Sequence, residues 1–293
     1  MKVPESLISY GHTVMDHIEA LNRAVSAVMA AGKEILEVYH THFDVMQKDD
    51  QSPLTMADKR AHQVIKRCLE PLGIPILSEE GRDIPYGERK NWPRLWIVDP
   101  LDGTKEFIKR NDEFTVNIAL IENSHPVLGV VYVPVPGRLY FGCSRMGSFR
   151  TDQADRIPEK EKGKSLSPDI WIKNLLKDAV KLPVSDPSRK VFTVVGSRSH
   201  PSPELEAFVE KLRREHDGQI EFISAGSSLK ICLVAEGSAD IYPRLGPTME
   251  WDTAAGQAVA EFAGARVYAY DTKEPLIYNK KNLLNPWFIV QER

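Results

Sequence analysis

"LWIVDPLDGTKEF", Leu95 to Phe107, carries a run of apolar, strand-forming residues straight into two aspartates, Asp99 and Asp102, and then at once into Gly103 and Thr104. Taken alone, an Asp-Gly pair is an ordinary turn that ends a strand. These carboxylates, however, stand three residues apart with Pro100 limiting the backbone between them, so both can point at a common centre. The backbone carbonyl of Leu101 lies between them. A small hard cation such as Mg²⁺ takes a few carboxylates and completes its shell with waters and phosphate oxygens. Beyond the aspartates, Gly103 and Thr104 open a turn or helix whose free N–H groups suit a phosphate, and Thr104 adds a hydroxyl at the same place. Metal ligands beside a backbone anion site are what phosphoryl chemistry requires.

Two more acidic clusters sit at comparable places. Glu79 and Glu80 close the apolar stretch "IPILS", and Asp252 opens the helical pattern "WDTAAGQAVAE". Each has a plain reading by itself: a solvated acidic pair, and a helix cap. Three acidic clusters, each at the end of an apolar strand or the start of an apolar helix, favour a shared site.

Working outward, apolar residues recur at helical spacing from Thr13 to about Tyr39, through Val14, Ile18, Leu21, Val25, Val28, Ile35 and Val38. A second helix is predicted from near Thr55, with Ala57, Ala61, Val64, Ile65, Cys68 and Leu69 on one face and Gly73 as its stop. Asp58 falls in its first turn, where a negative charge is already favourable. The short strands "IPILS", "LWIVD", "FTVNIALIE", "PVLGVVYVP" and "RLYFGC" follow, and their turn signals suggest an antiparallel meander packed on the helices.

The stretch from Thr151 to Lys190 is rich in Lys, Glu, Asp, Ser and Pro, and reads as a loose excursion holding one short helix around "IWIKNLLKDAV". After it, strands alternate with helices: "VFTVVGS", "SPELEAFVEKLRREH", "IEFISAG", "SSLKICLVAEG", "ADIYPR" and "WDTAAGQAVAEFAG". That alternation is an α/β pattern. The expected organisation is an N-terminal α+β domain over 1–190 carrying most of the metal ligands, and a C-terminal α/β domain over 191–293 completing the site.

The 293 residues are 42% hydrophobic and 27% charged with a net charge of −3, which is ordinary for a globular enzyme. There is no basic footprint for nucleic acid, so an anionic substrate has to be captured by bound cations or a few placed basic groups. The three cysteines, Cys68, Cys143 and Cys232, match no metal-ligand spacing. Cys68 and Cys232 sit in apolar helical patterns and read as buried free thiols, which fits a reducing compartment. No secretory leader or membrane span is expected, and the predicted location is cytoplasmic. Peripheral attachment to the cytoplasmic face of the inner membrane needs no spanning helix and stays open. Monomer and homodimer stay open too.

At this point the motifs resemble a known family. "WIVDPLDGT" resembles the D-P-[IL]-D-G-[ST] signature of the inositol-monophosphatase-like, lithium-sensitive, Mg²⁺-dependent phosphatases. "WDTAAG" resembles their second signature and "LSEEG" their acidic strand end, in the same order and from the first helix to about residue 270. Within that family the chain looks most like the CysQ-type 3′(2′),5′-bisphosphate nucleotidases. The stretches that carry this are "DDQSPLTMADKRAHQVI", "VVGSRSH" and "AGSSLKICLVAEGSADIYPRLGPTMEWDTAAG".

The resemblance implies a layered αβαβα sandwich of the inositol monophosphatase/fructose-1,6-bisphosphatase-like type. It implies two or three Mg²⁺ ions held by the side chains of Glu79, Asp99, Asp102 and Asp252 and the carbonyl of Leu101. Asp58 and Thr104 would form a hydrogen-bonded pair that, with Glu79, activates the attacking water. Leu101, Asp102, Gly103 and Thr104 would cradle the phosphate to be removed, beside Asp252. His200, Ser227, Lys230 and Arg244 would hold the second phosphate and the adenosine. The implied activity is conversion of 3′-phosphoadenosine 5′-phosphate to AMP and phosphate, a step of sulfur assimilation. The alternative substrate is inositol 1-phosphate or a related sugar phosphate. Read without the resemblance, Lys230 is a solvated helix lysine and His200 a loop histidine. The charged segment from Asp152 to Lys190 is longer than a minimal chain of this type requires and precedes "SRSH".

Overall fold

Two large β-sheets, with helices outside and between them, stack into five layers, apart from a separate two-stranded ribbon. The computed structural model describes residues 5–41, 53–81, 84–144, 146–152, 154, 160–161, 164–165, 168–184, 191–198, 202–216 and 219–292. In chain order the first part runs α1 (Glu5–Tyr39), α2 (Pro53–Leu69), β1 (Ile76–Ser78), α3 (Tyr86–Arg89), β2 (Arg94–Asp102), α4 (Thr104–Lys109) and β3 (Thr115–Glu122). It continues with β4 (His125–Val133), β5 (Arg138–Cys143), β6 (Gly147–Thr151), β7 (Lys160–Glu161), β8 (Lys164–Ser165), α5 (Pro168–Lys177) and β9 (Val180–Lys181). The remainder is β10 (Phe192–Ser197), α6 (Pro203–Glu215), β11 (Ile220–Ala225), α7 (Leu229–Ala235), β12 (Ile241–Arg244), α8 (Glu250–Phe262), β13 (Arg266–Ala269) and β14 (Phe288–Gln291).

The first sheet has the order β1-β2-β3-β4-β5-β6-β9, and the second β11-β10-β12-β14-β13. Strand alternation explains why β2 to β4 read as unbroken apolar runs. Trp96 and Val98 of β2 enter the core under α1 and α2, together with Val116, Ile118 and Leu120 of β3. Leu95 and Ile97, with Ala119 and Ile121, enter a second core on the opposite face. A sheet buried on both faces has no polar side to alternate. The second core is filled by α7 and α8 and closes on the second sheet through Val195, Tyr242, Phe288 and Val290. Outside that sheet α6 packs Leu205, Val209 and Leu212 on Val194, Ile241 and Ile289. The layers are thus helices, sheet, helices, sheet, helix. The first sheet uses strands before residue 190 and the second strands after it, while the middle core takes residues from both.

Helix α8 lies against the first sheet closely enough that a Cβ on Gly129 of β4 would run into the Ala255 carbonyl and sit 2.6 Å from the Ala258 Cβ. Its "AAGQAVA" stretch is small because a strand passes directly beneath it.

Some expectations need correction. β1 pairs with β2 in parallel, so the first sheet is a meander only from β2 onward. Helix α1 begins eight residues before the apolar spacing becomes regular. Helix α2 begins at Pro53, which puts Asp58 in the second turn rather than the first. The C-terminal strands β13 and β14 were not anticipated, and β14 inserts antiparallel between β12 and β13. The three cysteines are free; Cys143 and Cys232 are buried and Cys68 is half-buried. Among the described residues no helix is long and apolar enough to cross a membrane.

Candidate active site

The end of β2 is where the sheet stops being regular. Asp99 pairs with Asn117 and Asp102 with Thr115, so three steps on β2 face two on β3, and the register shifts between them. One extra residue bends a strand and re-aims its side chains. Pro100 tolerates the break because it has no N–H to leave unpaired. The Leu101 amide donates to Asp99 Oδ1 at 3.1 Å, which pins the turn. Gly103 follows at φ 98°, and a Cβ there would lie 3.2 Å from both Phe114 Cα and Ser227 Cβ. Glycine is required on both counts. Helix α4 starts at Thr104 immediately afterwards.

Asp99 is only 1% exposed. Burial pushes its carboxyl well above the usual range, and Asp102, Glu79, Asp252 and Asp58 push it in the same direction. Burial likewise raises Asp252 to about 7, reinforced by Asp102 and partly offset by the hydrogen bond from the Met249 amide. Asp58 rises to about 8, first from burial and then from Glu80 and Glu79. These acids from β2, α2, α8 and the end of β1 repel one another inside the protein. Such a set is stabilised by a bound cation.

The donors are all oxygens, which selects hard cations. Asp58 Oδ1 is buried with no hydrogen-bond partner, as expected of a group that awaits one. Among the described residues no three His, Cys, Asp or Glu side chains already close on one point as a ready-made cage. A shell shared with waters and phosphate oxygens needs no such cage. The residues fit a hard divalent cation.

Asp102 is held from the other half of the chain. Its Oδ2 accepts the Ser228 amide at 2.6 Å and lies 2.7 Å from the Ser228 hydroxyl. That hydroxyl is also 2.7 Å from the Asp252 carbonyl, and its one proton serves one of the two acceptors. Asn117 Nδ2 donates to Ser228 Oγ at 2.9 Å. Neither Ser228 nor Asn117 was singled out in the sequence. The available signal was a lone asparagine inside the apolar strand "TVNIALIE" and the second serine of "GSS".

The same cavity, of about 280 Å³, is lined by Glu79, Asp99, Asp102, Thr104 and Asp252 and by Ser227, Lys230, Tyr242 and Arg244. Lys230 occupies the first turn of α7 and is 5% exposed, so it is not a solvated helix lysine. Its Nζ donates to the Ser227 carbonyl at 2.5 Å and stands 5.6 Å from the Tyr242 ring centroid. Burial lowers its pKa to about 8, while Asp102 pulls it back up. Arg244 donates from Nη2 to the Pro247 carbonyl at 2.8 Å, and its buried Nε has no partner. A phosphate entering between Lys230 and Arg244 would meet donors that burial keeps from water.

Two expected features are placed differently. Asp58 lies beside Glu80 and Glu79, and no hydrogen bond joins it to Thr104. His200 lies outside the described residues; Ser197, three residues earlier, lines the cavity.

This five-layer fold, with a cavity walled by acids and by the cations Lys230 and Arg244, defines a class. Residues 16–288 match the model of the inositol monophosphatase family, and the chain belongs to that family. Within it, the chain is 44% identical over 276 residues to the Escherichia coli (strain K12) protein named 3′(2′),5′-bisphosphate nucleotidase CysQ, covering 92% of this chain and 98% of that one. A Haemophilus influenzae protein of the same name is 35% identical over 286 residues, covering 95% of this chain and 94% of that one. The solved structure of CysQ from Bacteroides thetaiotaomicron superposes with a TM-score of 0.85 at 47% identity, over 94% of this chain and 97% of that one. An inositol monophosphatase from Zymomonas mobilis, 22% identical, shares the fold with a TM-score of 0.67 over 93% of this chain and 92% of that one.

Proposed function

We propose that this chain is a Mg²⁺-dependent 3′(2′),5′-bisphosphate nucleotidase that hydrolyses 3′-phosphoadenosine 5′-phosphate to AMP and phosphate. The observation that carries the reading is the pairing, in one cavity, of the acidic cluster around Asp99 with two cations, the buried Lys230 and the half-buried Arg244. A monoester with one phosphate needs the first wall only; a second phosphate gives the other wall its purpose. The CysQ names of the relatives point the same way.

Glu79, Asp99, Asp102 and Asp252, with the Leu101 carbonyl, would hold the metal, and Mg²⁺ there would supply acidification of water and charge to offset the phosphate. The turn from Leu101 to Thr104 cradles the phosphate under attack, with the Gly103 and Thr104 N–H groups and the Thr104 hydroxyl directed to it while the Leu101 amide stays on Asp99. Thr104 and Glu79 orient the water. Asp58 Oδ1, buried and without a partner, accepts its proton. Water oxygen bonds to phosphorus in line as the bond to O3′ breaks; the 3′ alkoxide takes a proton from solvent water to become the hydroxyl of AMP, and the proton held by Asp58 returns to solvent. Ser227, Lys230, Arg244 and His200 keep the other phosphate and the nucleoside in register.

The test is phosphate release, with Mg²⁺, from 3′-phosphoadenosine 5′-phosphate and from inositol 1-phosphate side by side, with and without lithium. Preference for the nucleotide, suppressed by lithium, supports the reading. Preference for the inositol ester keeps the metal wall and discards the nucleotide wall.

A further inference from the structure

The turn Gly226–Ser228 carries Ser227 to the cavity and leads into Lys230, yet its own conformation is costly. Ser227 is at φ 43°, the left-handed region that non-glycine residues avoid. Something must hold it there. Ser228 is tied to Asp102 as described. The other end is tied to Glu113, in the short connection between α4 and β3. Its Oε2 accepts the Gly226 amide at 2.8 Å, and its backbone carbonyl accepts the Ser227 hydroxyl at 2.8 Å. The same carboxylate takes a two-pronged bond from Arg198, at 2.9 Å from Nε and 2.8 Å from Nη2. Arg198 in turn donates to the Ser224 carbonyl at 2.7 Å, just before the turn.

Glu113 is itself firmly placed. Arg110 donates to the carbonyls of Tyr39 and Thr41 at 2.8 and 2.6 Å, and the Tyr39 hydroxyl donates to Asp112 at 2.7 Å. Phe114, next in sequence, packs edge-on against Tyr39 and Phe107. Phe114 is also one of the two residues that crowd Gly103. One braced connection therefore borders the Asp102–Thr104 phosphate cradle and grips the turn packed beside it.

We propose that Glu113 is a positioning residue, setting the distance between the phosphate cradle and the Ser227–Lys230 wall by holding the Gly226–Ser228 turn. The inference rests on the proposed bisphosphate substrate, for which that distance decides affinity. Ser227 needs its carbonyl aimed at Lys230 Nζ, and a turn released from Glu113 relaxes away from the left-handed conformation. Arg198, with its side chain 47% exposed, neutralises the Glu113 carboxylate, whose side chain is 21% exposed, so the hook carries no unpaired charge.

Three variants test this: Glu113→Ala, Glu113→Gln and Gly226→Ala. Glu113→Ala removes the acceptor of the Gly226 amide. Expected is a KM for 3′-phosphoadenosine 5′-phosphate raised about tenfold, equivalent to ~1.4 kcal/mol, with kcat within about twofold. Turnover of inositol 1-phosphate, which does not reach the second wall, is unchanged. Glu113→Gln keeps one oxygen for the Gly226 amide and returns KM to within about threefold of wild type, the residue of a weakened pair with Arg198. Gly226→Ala alters no polar group, yet its Cβ would meet the Glu106 side chain and stand 2.9 Å from the Glu113 carbonyl, so it displaces the turn and reproduces the Glu113→Ala phenotype. A merely structural role predicts instead that all substrates lose kcat together, and that result overturns the proposal. So does Glu113→Gln behaving like Glu113→Ala, which would make charge rather than turn placement the cause. Unchanged KM in Glu113→Ala, with wild type active on the nucleotide, discards Glu113 alone. Wild type inactive on the nucleotide discards the substrate reading and this inference with it.

Discussion

Asp102 and Ser228, 126 residues apart in sequence, are joined by two contacts: the Ser228 amide on Asp102 Oδ2 at 2.6 Å and the Ser228 hydroxyl on the same oxygen at 2.7 Å. This junction fixes the end of the first sheet against the start of α7. It occupies one carboxylate oxygen, and none of the contacts to Ser228, Asn117 or Thr115 uses Oδ1. An acid oriented in this way presents its second oxygen in a set direction, as metal ligands held by neighbouring donors do.

Ser228→Ala keeps the amide bond and removes the hydroxyl. The expected outcome is about a tenfold loss of Mg²⁺ affinity, the lower end of the effect of losing a ligand's supporting partner. The fold is retained. Titration of turnover against Mg²⁺ checks it: the half-saturating concentration rises while the rate at saturation changes little. An unaltered Mg²⁺ curve would mean that the amide alone orients Asp102.

Asp99→Asn removes a carboxylate that is fully buried among other acids. Turnover is expected to drop by about 10³-fold or more, because the metal that supplies most of the charge stabilisation is lost. Without metal the variant should melt higher than wild type, since one uncompensated buried charge is gone. Stopped turnover with a raised melting temperature distinguishes loss of a ligand from loss of the fold. A near-normal rate would remove Asp99 from the site.

The acids also make a prediction about pH. Asp58 and Asp252 have folded-state pKa values raised to about 8 and about 7, above their ordinary value of 3.8. Between those limits the folded chain binds more protons than the unfolded one, so stability falls as pH rises. With respect to these groups, metal-free protein is therefore expected to be most stable below about pH 3.8, and to lose that contribution progressively from there up to about pH 8. Mg²⁺ stabilises the ionised cluster and should flatten or reverse the slope. Thermal melts across this range, with chelator and with Mg²⁺, read the effect directly. Asp58→Asn should reduce the slope in chelator. A slope unchanged by Mg²⁺ would separate the acids from metal binding.

Much of this arrangement was legible in the sequence where neighbours along the chain decide it. Trp96 and Val98 face one core and Leu95 and Ile97 the other; the apolar run of β2 marked a core strand, while its burial on both faces came from the structure. Asp99, Asp102 and Asp252 could be picked out because each stands where such an apolar element ends or begins. The parallel pairing of β1 with β2 was hidden, since alternation says which faces are buried and not which way a neighbour runs. β14 was hidden for another reason. Its four residues acquire a strand's identity only from β12 and β13 on either side. Ser228, Asn117 and Glu113 were missed on the same ground: Asn117 meets Ser228 across 111 residues, and Glu113 meets Gly226 across 113. Polar residues of that kind look like loop or strand chemistry until the fold supplies their partners.

Lys230 is the residue on the second wall with the sharpest consequence. It is buried, has its pKa lowered to about 8, and spends one donor on the Ser227 carbonyl. Lys230→Met keeps the length of the side chain and removes the charge, in a site already lined by Ile231 and Tyr242. The fold should survive with a melting temperature equal to or above that of wild type, because a desolvated ammonium has been removed. Binding of the second phosphate loses a charge-assisted bond of about 1.5–3 kcal/mol, or about 10- to 100-fold in KM for 3′-phosphoadenosine 5′-phosphate. The rate on inositol 1-phosphate should barely move. Since the ammonium deprotonates near pH 8, the wild-type KM for the nucleotide should climb as pH passes that value, and the Lys230→Met KM should not. Parallel KM–pH profiles for the two proteins would show that Lys230 does not meet the substrate, and would leave Arg244 as the cation of that wall.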